Sequence, residues 1–111
     1  MVSLAFRNAA VENIRNGFGS GGCYVIRPWG VGPVKIGFAT CIANRFDDLR
    51  GMMGEFQIIS VMPGGRQTES YLHKRFHSWR VDREWFHPSV IPLVRAAAAE
   101  LVEFLPSSGA V

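Results

Sequence analysis

The stretch GCYVIRPWGVGPVKIGFATCIANR, residues 22–45, decides the fold of this chain. It contains two runs of β-branched and aromatic residues on either side of a Gly- and Pro-rich turn at residues 30–33. This pattern predicts a β-hairpin, followed by a helix that begins near the end of the stretch. The hairpin and helix together carry Tyr24, Lys35 and Arg45, whose side chains are suited to handling an anion.

Hydrophobic spacing predicts the elements that follow. Apolar residues recur at intervals of four, three and four after the hairpin, which is typical of a helix with one buried face. The expected order is β-β-α-β-α-α, an α+β fold with a small three-stranded antiparallel sheet flanked by helices. The elements predicted after the first helix are a strand at 56–62, a helix from about 66 or 68 to 79, a loop at 80–87 with a short extended piece at 84–86, and a last helix from Pro88.

A chain of 111 residues is expected to form a single domain. A weak helix and a Gly-rich linker are predicted within residues 1–21, as an appendage to the domain. The domain itself is predicted to span residues 22–105, and residues 106–111 are predicted to form a C-terminal tail.

Composition narrows the class of protein. The sequence shows neither an apolar run long enough for a membrane helix nor a signal-peptide pattern, and its two cysteines do not form a disulfide framework. We therefore expect a soluble cytoplasmic protein without a membrane partner. The net charge of +3 and pI of about 9.3 are compatible with binding nucleic acid.

The motifs resemble those of the GIY-YIG endonuclease superfamily. Gly22-Cys23-Tyr24 is similar to its first motif and Lys35-Ile36-Gly37 to its second, with Lys in place of Tyr. A phage and bacterial branch of the superfamily carries the same Lys-Ile-Gly, then Glu-x-x-Leu-His-x-x-Phe, then Glu-Trp-Phe. These two later motifs correspond here to residues 69–76 and 84–86. The resemblance implies the three-stranded fold and metal-dependent hydrolysis of DNA, with Mg²⁺ or Mn²⁺ as cofactor.

Glu69 is the residue that the resemblance implies as metal ligand. Helical spacing places it on the same face as Leu72 and Phe76, and ionised carboxylates rarely face a core without a partner. A salt bridge or a helix-capping role is the alternative. A single carboxylate supplemented by water is a common way to hold Mg²⁺.

Tyr24, Lys35 and Arg45 are interpreted as the other groups that act on the phosphate. Tyr24 is the predicted base, because neighbouring cations favour its phenolate form. Arg45 is predicted to clamp a phosphate, with an ion pair to Glu69 as the alternative. The structural alternative for Tyr24 is packing, and for Lys35 exposure to solvent.

Two further residues complete the predicted site. His73 is predicted to assist proton transfer or to bind the phosphate, and a hydrogen-bonded histidine at the edge of the core is the alternative. His73 and His77 are spaced like some zinc ligands, but no third ligand is evident. Glu84 is predicted to hold Arg45, Arg80 or Lys35 in place, or else to be a second metal ligand.

A basic surface is predicted beside this site. The residues expected to contact DNA phosphates are Lys74, Arg75, Arg80 and Arg83, although a plain solvated face is the alternative. No base-reading element is evident, so we expect weak sequence preference. Two other functions stay open: a nucleic-acid-binding module without catalysis, which Lys35 in the Tyr position favours, and a partner-binding module. The oligomeric state cannot be derived from the sequence.

Overall fold

A computed structural model describes residues 21–28 and 32–104 of the chain, with the side chains up to residue 100. The helix predicted near the N-terminus, its linker and the C-terminal tail lie outside these residues. The strands are β1 (Gly22–Pro28), β2 (Val34–Ala39), β3 (Phe56–Pro63), β4 (Arg80–Asp82) and β5 (Trp85–Phe86). The helices are α1 (Ile42–Met53), α2 (Gly65–Arg75) and α3 (Ile91–Phe104), with single 3-10 turns at His77–Trp79 and Pro88–Val90.

The strands form one antiparallel sheet in the order β3-β1-β2-β5-β4. The predicted α+β class is correct, but the sheet has five strands and not three. The error lies in residues 80–86, where β4 and β5 were predicted as a loop with one short extended piece. Strands of three and two residues are too short to show a hydrophobic period, and β5 is held in place by pairing with Val34 and Lys35 of β2.

Helices cover both faces of the sheet and produce two apolar cores. One core contains residues of α2 and α3, including Leu72 and Val94, packed on Val25 and Ile36 of the central strands. The other contains the α1 residues that were predicted from their helical spacing, packed on the opposite face. Since strand side chains alternate between faces, Tyr24 belongs to the α1 side and Val25 to the α2 side.

Helix α2 is shorter than predicted. Its last helical residue is Arg75, whereas the sequence predicted a helix that continues to Trp79. The chain tightens into a 3-10 turn at His77–Trp79 and then enters β4. Arg80, one of the predicted phosphate contacts, therefore lies on β4. Among residues 21–28 and 32–104, no helix is long and apolar enough to cross a membrane.

Tyr24 and Gly37 approach each other closely across the two central strands. These residues are directly opposite each other in the register of β1 and β2. A Cβ atom on Gly37 would lie 2.6 Å from both the Cζ and hydroxyl oxygen of Tyr24, so the ring lies over the glycine. The ring is also held edge-on by Phe46 of α1, at 5.7 Å between centroids, and is only 2% exposed. The phenol therefore extends across β2 in a fixed direction.

Gly37→Ala should lower the free energy of unfolding by about 1–3 kcal/mol, because the new methyl group would overlap a ring that cannot move aside. Gly51→Ala is the matched control. A Cβ atom at Gly51 meets nothing within 4 Å, and alanine in a helix interior should stabilise by up to about 1 kcal/mol. Urea denaturation measures both changes. Equal effects of the two substitutions would contradict the proposed contact.

Candidate active site

Glu69 lies one turn into α2 and is half-buried at the rim of the α2-side core. Burial raises the pKa of its carboxyl above the usual value, His73 and Arg66 lower it, and Glu84 raises it. Within the part of the chain that the structure describes, Glu69 forms neither a hydrogen bond nor an ion pair, and α2 has no side-chain cap. The predicted alternatives, a salt bridge or a cap, are therefore not seen, and the carboxylate is available to a ligand.

His73 lies one turn further along α2 and has a partner on each ring nitrogen. Its Nε2 is 3.0 Å from the carbonyl oxygen of Ile36, and its Nδ1 is 3.4 Å from a guanidinium nitrogen of Arg80. A carbonyl oxygen only accepts hydrogen bonds, so Nε2 carries the proton and Nδ1 accepts from Arg80. His73 also packs edge-on against Phe86, at 5.1 Å. These contacts favour the hydrogen-bonded core-edge histidine over a proton-transfer group.

The hydrogen bonds of Ile36 explain how α2 is attached to strand β2. Ile36 donates its N–H to the carbonyl oxygen of Glu84 and accepts from His73 at its own carbonyl. At this edge of β2, the N–H of Ile36 therefore bonds to the backbone of Glu84 and its carbonyl bonds to the side chain of His73. His73 in turn fixes the position of Glu69, four residues earlier on the same helix face.

Tyr24 approaches this edge from the opposite face of the sheet. Burial raises the pKa of its phenol to about 12, Arg45 lowers it, and Glu84 and Glu69 raise it. Its hydroxyl group makes no hydrogen bond with any residue in the described ranges. Neighbouring cations alone would favour the phenolate, but in this structure burial outweighs the effect of Arg45 on the pKa of the phenol. The phenol is therefore protonated at neutral pH.

Glu84 holds Lys35, which is one of its three predicted partners beside Arg45 and Arg80. The Nζ of Lys35 lies 2.5 Å from Oε2 of Glu84, and the side chain of Lys35 is only 14% exposed. The ammonium group also lies 5.7 Å from the ring centroid of Trp85. The solvent-facing alternative for Lys35 is therefore not seen, and the charge of Lys35 is largely neutralised by its partner.

Arg45 is exposed on α1, and its positive charge lowers the pKa of the Tyr24 phenol. It forms no hydrogen bond or ion pair with the described residues, and the predicted alternative of pairing with Glu69 is not seen. Its guanidinium group remains available for bidentate contact with a phosphate.

An open cleft of about 440 Å³ runs beside Glu69, and we call it the Glu69 cleft. It is lined by Glu69, Ser70, His73, Lys74, His77 and Arg80. Of the predicted phosphate contacts, Lys74 and Arg80 lie in the cleft. Arg75 instead binds Glu100 of α3 at 2.9 Å and the hydroxyl group of Tyr71 at 2.8 Å. Arg83 is exposed in the turn between β4 and β5 and does not line the cleft.

The described residues offer a metal ion few protein ligands. Among them, no group of three or more His, Cys, Asp or Glu side chains could hold an ion. These residues therefore do not assemble the several protein ligands that zinc requires. It fits an ion held by one carboxylate, water and substrate phosphate, because Mg²⁺ retains most of its water ligands. Glu84 is already bound to Lys35, so Glu69 is the better ligand.

Sequence reasoning missed Ser70 as a residue of the site, and it noted His77 only for its spacing from His73. Both residues line the Glu69 cleft. Arg66, which lies close enough to Glu69 to lower the pKa of its carboxyl, was not among the predicted site residues. A signal was present, because Arg66, Glu69 and His73 are spaced three and four residues apart on one helix face. The importance of Gly37 was also missed, because the close approach of Tyr24 depends on the strand register.

Comparison with known proteins gives one match. The model of the T5orf172 domain matches residues 21–105, which is 85 of the 111 residues. No similar curated protein and no similar solved structure was found.

Glu69→Gln should stabilise the protein at neutral pH. Burial raises the pKa of the Glu69 carboxyl, so the protonated form of this group stabilises the folded protein relative to the ionised form. This stabilisation is fully present below about pH 4.5 and is lost as the pH rises through the folded-state pKa. Glutamine has no charge to desolvate, so the Tm of the variant should exceed that of the wild type at pH 7. The difference should disappear near pH 4.

Glu100→Gln is the matched control, with the opposite sign. Arg75 holds the pKa of the Glu100 carboxyl below its usual range, so this variant should lose stability at pH 7 and approach the wild type in acid. Thermal unfolding at pH 4, 5.5 and 7 measures both. A lower Tm of Glu69→Gln at pH 7 would show that Glu69 has a stabilising partner.

Proposed function

Because the chain belongs to the T5orf172 domain family, we propose that it is a metal-dependent DNA endonuclease with a GIY-YIG-type site. Membership of this family favours a nuclease-like or nucleic-acid-related module. The proposed reaction is hydrolysis of a phosphodiester bond, with Mg²⁺ or Mn²⁺ as cofactor.

One observation carries this proposal. Glu69 is a half-buried carboxylate without a protein partner among the described residues, in a cleft that also contains Lys74 and Arg80. Its raised pKa shows that keeping this charge partly buried costs free energy. Groups that are unfavourable for folding and lie in a cleft are typical of functional sites. A bound cation would compensate the negative charge of Glu69, and a bound phosphate would compensate the positive charges of Lys74 and Arg80.

In this proposal each side chain of the site has a part in the reaction. Lys74 and Arg80 attract and align the DNA backbone along the cleft. Arg45, unpaired within the described ranges, contacts the scissile phosphate and stabilises its developing negative charge. His73, through its bonds to Ile36 and Arg80, positions Glu69 and Arg80 relative to β2. Lys35 and Glu84, bound to each other, keep β5 against β2.

Glu69 is the side chain that would hold the metal ion. Mg²⁺ bound there would stabilise charge on the phosphoryl and leaving oxygens. Tyr24 is the proposed base, and its phenol must lose a proton before it can accept one from water. With a pKa of about 12, only about one phenol in 10⁵ is ionised at pH 7. Neutralisation of the Glu69 charge would remove one of the effects that raise this pKa.

A plasmid assay tests the proposal. Supercoiled DNA should be nicked only in the presence of Mg²⁺ or Mn²⁺, and Glu69→Gln should abolish nicking while leaving DNA affinity, measured in EDTA, close to that of the wild type. Glu100→Gln is the control, because it makes the same chemical change outside the cleft and should stay active. Metal-dependent activity that survives in Glu69→Gln would remove Glu69 from the site and point to Glu84.

A pH profile tests Tyr24. If its phenolate is the base, the nicking rate should rise about tenfold per pH unit between pH 6 and 9, because the ionised fraction does so below a pKa of about 12. Tyr24→Phe keeps the ring against Phe46, so its Tm should equal that of the wild type while nicking falls by about 10²–10⁴-fold.

Arg45→Lys should also reduce nicking, because an ammonium group cannot form a bidentate phosphate contact. A pH-independent rate, or a fully active Tyr24→Phe variant, would exclude Tyr24 as the base.

The second function is a DNA-binding module without catalysis. It is favoured by the protonated state of Tyr24 and by the neutralisation of Lys35 by Glu84. It predicts retained DNA binding without nicking at any pH or metal concentration. The partner-binding alternative relied on residues 1–21, most of which lie outside the described ranges.

A further inference from the structure

Phe38 lies outside both apolar cores. It is an aromatic residue in the middle of the sheet, yet neither apolar cluster of the described residues includes it. Its neighbours Gly37 and Ala39 are buried, whereas Phe38 is only half-buried. A half-buried aromatic residue outside the cores can contact an external apolar or aromatic group with the exposed part of its ring.

Phe38 lies in a second cleft, of about 310 Å³, which we call the Phe38 cleft. Apart from Phe38 and Arg66, it is lined by small residues and one threonine: Gly21, Ala39, Thr40, Gly64 and Gly65. Its volume is at the low end of the range for small-ligand sites, which is typically about 300–1,000 Å³. The guanidinium carbon of Arg66 lies 5.0 Å from the centroid of the Phe38 ring.

The Phe38 cleft is adjacent to the proposed catalytic cleft. Arg66 and Glu69 are three residues apart on α2 and therefore share one helix face. The two side chains are also close enough for the positive charge of Arg66 to lower the pKa of the Glu69 carboxyl. Arg66 forms no ion pair with the described residues, so its charge is free for an anion. A DNA strand that follows α2 through the Glu69 cleft would reach Phe38 and Arg66 next.

From these contacts we infer that the Phe38 cleft binds one nucleotide of the DNA strand, next to the scissile phosphate. The base stacks on the Phe38 ring, and the Arg66 guanidinium group binds the adjoining phosphate. Aromatic rings bind unstacked bases in this way without selecting a sequence, since every base has a π face. The inference rests on the proposed function, and it identifies a base contact in addition to the phosphate contacts.

Equilibrium binding to two oligonucleotides of equal charge tests the inference. One is single-stranded (dT)12, and the other is a 12-residue abasic strand with the same phosphates. In EDTA, where no cleavage occurs, the wild-type chain should bind (dT)12 about tenfold more tightly, because stacking of one base contributes a factor of this order. Fluorescence anisotropy of labelled strands gives both dissociation constants.

The variants separate the base contact from the phosphate contacts. Phe38→Leu should reduce the tenfold ratio to about one, while Phe38→Trp should preserve it. Lys74→Ala should weaken binding to both strands by the same factor and leave the ratio unchanged. A tenfold ratio that persists in Phe38→Leu would overturn the inference.

The failure of the inference can be distinguished from that of the proposed function. If both strands bind with equal affinity and the plasmid is nicked, the Phe38 contact is wrong and the endonuclease stands. If the chain binds neither strand nor duplex DNA and does not nick the plasmid, both proposals are wrong. If the Phe38→Leu variant does not fold, the wild-type chain still tests the inference. Equal affinities of the wild-type chain for (dT)12 and for the abasic strand would exclude a base contact.

Discussion

The contact between Tyr24 and Gly37 places the two halves of the candidate site at one edge of strand β2. A ring lying over a glycine at this distance allows one strand register only, since a shift of one residue would put a side chain in its path. Phe46 fixes the ring from the α1 side, so the hydroxyl group is carried over β2. From the other side of the sheet, His73 binds the carbonyl group of Ile36 in the same strand.

Charge is distributed unequally around this edge. Lys35 is paired with Glu84, while Glu69 and Arg45 have no ion pair or hydrogen bond within the described ranges. Pairing Lys35 stabilises the attachment of the short strand β5 to β2. Leaving Glu69 without a partner has the opposite effect on stability. This division agrees with the proposed function, because functional sites are often retained at some expense of folding free energy.

Predictions from the sequence were accurate where the evidence was local and periodic. The hairpin, the α1 stripe and the third strand follow from alternation and helical spacing over six or more residues. The errors lie between Arg75 and Phe86, where the elements are two or three residues long. There the conformation is decided by partners far along the chain, such as the pairing of Phe86 with Val34. No local pattern contains that information.

By itself, the sequence determined the α+β class, the hairpin and helices that carry Tyr24, Lys35, Arg45 and Glu69, and the residue types of the candidate site, because side-chain chemistry and hydrophobic period are properties of the chain. Only the tertiary structure decided the state of each group. It paired Lys35 with Glu84, directed Arg75 to Glu100, gave both nitrogens of His73 a partner and raised the pKa of Tyr24. Burial and the distances between charges determine these properties, and both arise when separate segments pack together.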